Sequence, residues 1–156
     1  MSLNTKVYLL AALRIANADI LPFDWRATCA EFLGTIDRYE QAAEGLADLA
    51  DARAATQRLD SALARLAGAN TGAAARNAAL HALGRIMVPL NFTREPRFRH
   101  DLAYTVPPLP GLAVAAELPR LPAERRRSGQ VELMRGQNRF IAAIDAARRI
   151  VEAAAG

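Results

Sequence analysis

A chain of 156 residues with a formal net charge of +4 is sized for one domain, and at that size it buries roughly 70% of the surface its unfolded form exposes. It needs neither disulfides nor a structural metal to hold a core, and its single cysteine, Cys29, can form no internal bridge. The 35 alanines and 19 arginines, against one lysine, Lys6, favour helix over strand, while 16 interspersed acidic residues argue against the focused positive face that nucleic-acid binding requires.

Met1-Ser2-Leu3 resembles an expression scar, which leaves residues 4–156 as a single all-helical domain. The first helix is expected over residues 5–20. Val7, Tyr8, Leu9, Leu10, Leu13 and Ile15 cover much of its circumference, a pattern that suits a central, buried helix. Arg14, Asn17 and Asp19 interrupt the apolar run, which is shorter than the roughly 20 residues a bilayer requires. No signal peptide or transmembrane segment is therefore read here, no membrane partner is expected, and the compartment stays open.

Pro22 ends the first pattern, since its ring blocks helix continuation and disfavours helical geometry at Leu21. Asp24 is placed to cap the next helix by accepting from the free N–H groups of its first turn. That helix carries Trp25, Cys29, Phe32, Ile36, Tyr39, Ala43, Leu46 and Ala50 at spacings of three and four, the strongest periodic signal in the chain. Gly45 and residues 48–52 leave room for a break. A third helix over residues 52–66 repeats the stripe with Ala55, Leu59, Ala62 or Leu63, and Leu66. Residues 68–72, with two glycines, read as a turn. A fourth helix, residues 73–87, has Ala79 or Leu80, Leu83, Ile86 and Leu90 on its inner side, with Pro89 as its stop.

Residues 91–128 differ. Six of the eight prolines lie between Pro96 and Pro122, which largely excludes regular helix. Leu102, Val106, Leu109, Leu112, Val114, Leu118 and Leu121 nevertheless supply apolar anchors, so the stretch is expected to be an ordered excursion packed against the helices or a partner. The last helix is expected from about Ser128, with Val131, Met134, Ile141, Ile144, Ala147 and Val151 on one face. The fold class is thus all-α, a four-helix-type bundle with a long proline-rich ordered excursion before the last helix.

Catalytic material is sparse. His81 and His100 are the two histidines, with no His-Glu pair at helical spacing, no phosphate loop and no nucleophile elbow. His81 lies one residue off an apolar stripe and reads as a surface histidine. Cys29 lies within a core stripe, where burial suppresses the thiolate. Arg97-Phe98-Arg99-His100-Asp101 could contact an anion through a guanidinium fork or tether its loop to the helices. Arg125-Arg126-Arg127 is too short for a nucleic-acid patch.

The order of these elements, with Leu21-Pro22-Phe23-Asp24 as a hinge, Phe98-Arg99-His100 followed by Tyr104, and Leu118-Pro119 where an aromatic-Pro-Gly is frequent, resembles the helical dimerisation domain that ends the transferrin-receptor and glutamate-carboxypeptidase family of zinc peptidases. The similarity spans essentially the whole chain. It implies a non-catalytic assembly domain that forms a homodimer and packs against its own peptidase domain, which is absent from this chain. Zinc and the general base would belong to that absent domain, and no catalytic, cofactor or metal residue carries over. The interaction residues it points to are Phe98, Arg99, His100, Tyr104, Leu109 and Leu112. Glutamate carboxypeptidases place a Lys-Tyr pair where this chain has Pro110-Gly111-Leu112, so preference for a C-terminal glutamate is not implied. The alternative is a stand-alone helical binding module that takes anionic ligands or nucleic acid through its arginines.

Overall fold

The computed structural model describes residues 3–94 and 106–156, and the described residues are helical with no strand. The order is α1 (Leu3–Ala16), α2 (Trp25–Ala42), α3 (Ala50–Gly68), α4 (Ala73–Phe92), α5 (Val114–Glu117), a 3-10 turn (Leu118–Arg120) and α6 (Ala123–Ala155). The longest helix, α6, runs against α3 and α4; α2 packs on α3; and α5 bridges α2 and α6.

The core is assembled from one stripe of each long helix. Cys29, Phe32 and Ile36 of α2, Ala55, Leu59 and Leu66 of α3, Leu83 and Met87 of α4, and Phe140, Ile144 and Val151 of α6 form one buried cluster. Phe32 and Phe140 meet as tilted rings with centroids 6.0 Å apart, a geometry aromatic pairs prefer to flat stacking. Asp24 caps α2 as expected, its carboxylate accepting from Ala27 N–H at 3.0 Å. The stripe of α2 stops earlier than the spacing predicts. Glu44 and Gly45 adopt positive φ, the left-handed conformation that closes helices, and Ala50 is exposed at the start of α3. Arg53 then bridges Asp37 and Glu40, locking the α2–α3 corner.

Four expectations are corrected. The first helix is neither central nor buried. It already includes Leu3, ends at Ala16, and has every residue exposed, among them Val7 at 58% and Tyr8 at 76%. Periodicity reports which face is apolar, but cannot supply a neighbour to cover it.

Pro89 lies inside α4, which runs on to Phe92. Its missing N–H costs one bond near the helix end, while its carbonyl accepts from both the N–H and the hydroxyl of Thr93, at 2.9 and 2.8 Å.

The last helix starts at Ala123, not near Ser128, because Pro122 occupies its N-cap and accepts from Arg125 and Arg126 N–H. Arg125, Arg126 and Arg127 therefore lie in its first turns, exposed. Its inner face is Gly129, Leu133, Gly136, Phe140, Ile144, Ala147 and Val151, with Val131 and Met134 exposed. The two glycines were invisible as face residues because hydrophobicity assigns them no weight. A Cβ on Gly129 would stand 2.8 Å from Leu121 and 2.9 Å from Leu118, and one on Gly136 would collide with the Gly111 carbonyl. Glycine is what lets the segment before α6 lie against it.

The proline-rich stretch is shorter and more regular than expected. Its described part includes α5 and the 3-10 turn, and Leu109, Leu112, Val114, Ala115 and Leu118 are buried. Of the two surfaces it could have packed against, it packs here on the helices of its own chain. Leu109 sits at φ 49, a costly region for a branched side chain. Its nearly complete burial, with 1% exposed, offsets that cost, and its N–H donates to Asn91 Oδ1 at 3.3 Å.

Candidate functional site

Two places could engage something outside the folded core. The first is the junction of α1 with α2. The loop between them is clamped by one side chain of α4: Asn77 Oδ1 accepts from Leu21 N–H at 2.8 Å, and its Nδ2 donates to Asp19 O at 2.9 Å. Trp25 follows, half-buried, its indole N–H donating to Leu80 O at 3.0 Å and its ring lying where a Cβ on Gly84 would stand 3.4 Å away. Phe23 stacks at a tilt on Trp25, with centroids 5.9 Å apart, yet is 41% exposed. Around this loop runs a groove of about 400 Å³ lined by Leu21, Pro22, Phe23, Leu63, Leu66 and Leu80. Arg76 borders it, its guanidinium donating to Leu66 and Ala69 carbonyls at 3.0 and 2.9 Å and so satisfying the C-terminal end of α3. From this clamped loop α1 projects with Val7, Leu9, Leu10, Leu13 and Ile15 open to solvent.

The second place is a cavity of about 330 Å³ between the second half of α4, residues 109–112 and the middle of α6. Leu90, Leu109, Leu112 and Phe140 form apolar walls, and Arg85, Arg94 and Arg139 line it as well.

Of the residues singled out from sequence, Phe98, Arg99, His100 and Tyr104 lie outside the described residues, as do Arg97 and Asp101. Leu109 and Leu112 are core residues of this chain and form part of the cavity wall. His81 is exposed. Cys29 is buried, and loss of hydration pushes its thiol up to about 12, so no thiolate nucleophile is available near neutrality. Burial likewise raises the Tyr39 phenol, which donates to Pro108 O at 2.5 Å and ties the proline-rich segment to α2. Among the described residues no group of three or more His, Cys, Asp or Glu is placed to hold a metal ion, and no helix is long and apolar enough to cross a membrane.

Sequence reasoning passed over Arg85 and Arg139. They are scattered singly along two helices, 54 positions apart in the numbering, and only the packing of α4 against α6 brings them to one cavity. Comparison with protein-family models, with curated proteins and with solved structures finds no match to this chain.

Proposed function

We propose that this chain is a non-catalytic assembly domain: a four-helix-type bundle of α2, α3, α4 and α6, with the proline-rich stretch as an ordered excursion before α6, that forms a homodimer. The observation that carries the reading is α1, a helix of 14 residues whose only charges are Lys6 and Arg14 and of which nothing is buried. A helix apolar around most of its circumference is ordinarily enclosed, and contiguous exposed apolar surface marks interaction sites in soluble proteins. A second copy offers α1 both a like apolar helix and the groove beside Phe23, and a two-fold arrangement would bury both helices at once. The resemblance to the transferrin-receptor-like dimerisation domain supports the same reading. In that case zinc-dependent exopeptidase chemistry belongs to a parent peptidase domain, against which the chain would also pack.

The test is sedimentation equilibrium across a concentration series. Wild-type chain should dimerise, and Leu10→Asp with Leu13→Asp should leave a folded monomer with an unchanged melting curve. A wild type that stays monomeric at every soluble concentration, with α1 readily cut by protease, would overturn self-assembly. Zinc retained stoichiometrically by untagged protein would overturn the non-catalytic part.

A further inference from the structure

The cavity between α4 and α6 combines two properties. Its walls are hydrocarbon, from Leu90, Leu109, Leu112, Phe140 and Ala143. Among the described residues its charged lining is of one sign: Arg85, Arg94 and Arg139 line it, with no aspartate or glutamate. Several arginines elsewhere are matched by acids. Arg26 pairs with Asp60 at 2.8 Å, Arg148 with Glu152 at 2.7 Å, and Arg65 with Glu152 at 3.3 Å. Arg94 has Glu132 at 3.9 Å. Among the described residues, the guanidinium groups of Arg85 and Arg139 have no ion-pair or hydrogen-bond partner, so two of the cavity's three cations are uncompensated.

From this arrangement we infer that the cavity is a binding site for an amphiphilic organic anion, a carboxylate head on a short hydrocarbon body. The guanidinium fork matches a carboxylate in plane and spacing, and unneutralised cations beside low-dielectric walls concentrate anions locally. The walls would take the body, at about 25 cal/mol for each Å² of apolar surface removed from water. Size limits the choice. A volume of 330 Å³ is at the small end of ligand pockets and, at about 30 Å³ per water-sized group, holds on the order of ten non-hydrogen atoms. An eight-carbon fatty acid meets that count. Gly111 and Gly136, both lining the cavity, are in close backbone contact. The inference stands apart from self-assembly through α1, since α1 contributes no residue to the cavity.

Titration of octanoate into 15N-labelled full-length chain, kept below its micellar concentration, tests the assignment. Octanol and acetate serve as body-only and head-only probes. Saturable shifts should cluster at Arg85, Gly111, Gly136, Arg139 and Ala143. Arg85→Gln with Arg139→Gln should weaken binding by about tenfold or more, the scale of one charge-assisted hydrogen bond, without moving the thermal midpoint. Ala143→Leu, which fills the cavity while leaving the arginines, should also abolish binding. Octanol binding as tightly as octanoate would overturn the anionic assignment. Shifts confined to α1, or no saturation by octanoate, would overturn the site itself, whatever the oligomeric state.

Discussion

Helix α1 and the proline-rich residues 106–122 are both rich in leucine and valine, yet every residue of α1 is exposed while Leu109, Leu112, Val114 and Leu118 are buried. The helix has the better secondary-structure signal and the segment the worse, with five prolines in that short span. What separates them is convergence. The segment meets α6 where Gly129 and Gly136 remove the obstructing side chains, is tied to α2 by Tyr39, and so places its leucines among those of the long helices. Helix α1 leaves through a loop clamped at Leu21 and Asp19 by Asn77, and none of its residues is buried. Apolar content sets how much burial could stabilise a segment; geometry decides whether the chain itself provides it.

The largest effects should come from truncating one side of this comparison and then the other. Phe32→Ala, in the α2–α6 aromatic contact, should destabilise by about 3–5 kcal/mol, and Leu112→Ala by about 2–5 kcal/mol, as for large-to-small core changes. Leu10→Ala, on α1, should stay within about 0.5 kcal/mol in the monomer, as surface substitutions do. Denaturant melts of the three variants below the association range decide the matter, and a Leu10→Ala cost matching that of Leu112→Ala would erase the contrast.

A second pair sharpens the role of close backbone approach. Gly136→Ala forces a Cβ onto the Gly111 carbonyl, where relief requires moving main chain, and should cost about 1–3 kcal/mol. In Gly111→Ala the new Cβ would sit 3.8 Å from Gly136, ordinary contact, and should cost far less. Equal thermal midpoints for the two would mean that the segment is not held where it crosses α6.

Alkaline pH probes the buried side alone. Burial raises the Cys29 thiol from 9.0 to about 12, so the folded state resists ionisation that the unfolded chain undergoes. The associated stability is fully present below pH 9 and is lost as pH rises towards 12, at about 1 kcal/mol per pH unit over that window. Cys29→Ala should make this part of the pH–stability curve less steep, with the raised Tyr39 phenol contributing the remainder, and an unchanged slope would indicate that the thiol is accessible. Alkylation of the native protein near neutrality should be slow and become fast only on unfolding.

At the boundary between the two regions, Asp24→Ala removes the carboxylate that accepts from Ala27 N–H and should cost about 1 kcal/mol. Amide exchange should rise in the first turn of α2 and leave α6 unchanged. Faster exchange throughout the core would mean that the cap supports more than its own helix.

Most of the helical order was legible in the residues themselves. The stripe from Cys29 to Ala43, that from Ala55 to Leu66, the cap at Asp24 and the turn after Gly68 are local matters of periodicity, capping and glycine, and each occurs in the structure within a few positions. The start of α6 was misplaced because its first turns are arginines with no apolar period, and Pro89 does not stop α4 because its carbonyl still accepts from Thr93 and the helix runs on to Phe92. The cavity was not legible at all.

The sequence alone determined that this protein is helical and where its main apolar stripes run, because those properties depend on residue type and on neighbours three or four positions away. Only the tertiary structure decided that the most apolar helix stands outside the core, that a proline-rich segment lies within it, and that Arg85 and Arg139 share one hydrocarbon-walled cavity. Those outcomes depend on contacts between residues tens of positions apart, made possible by two glycines whose missing side chains no hydrophobic pattern records.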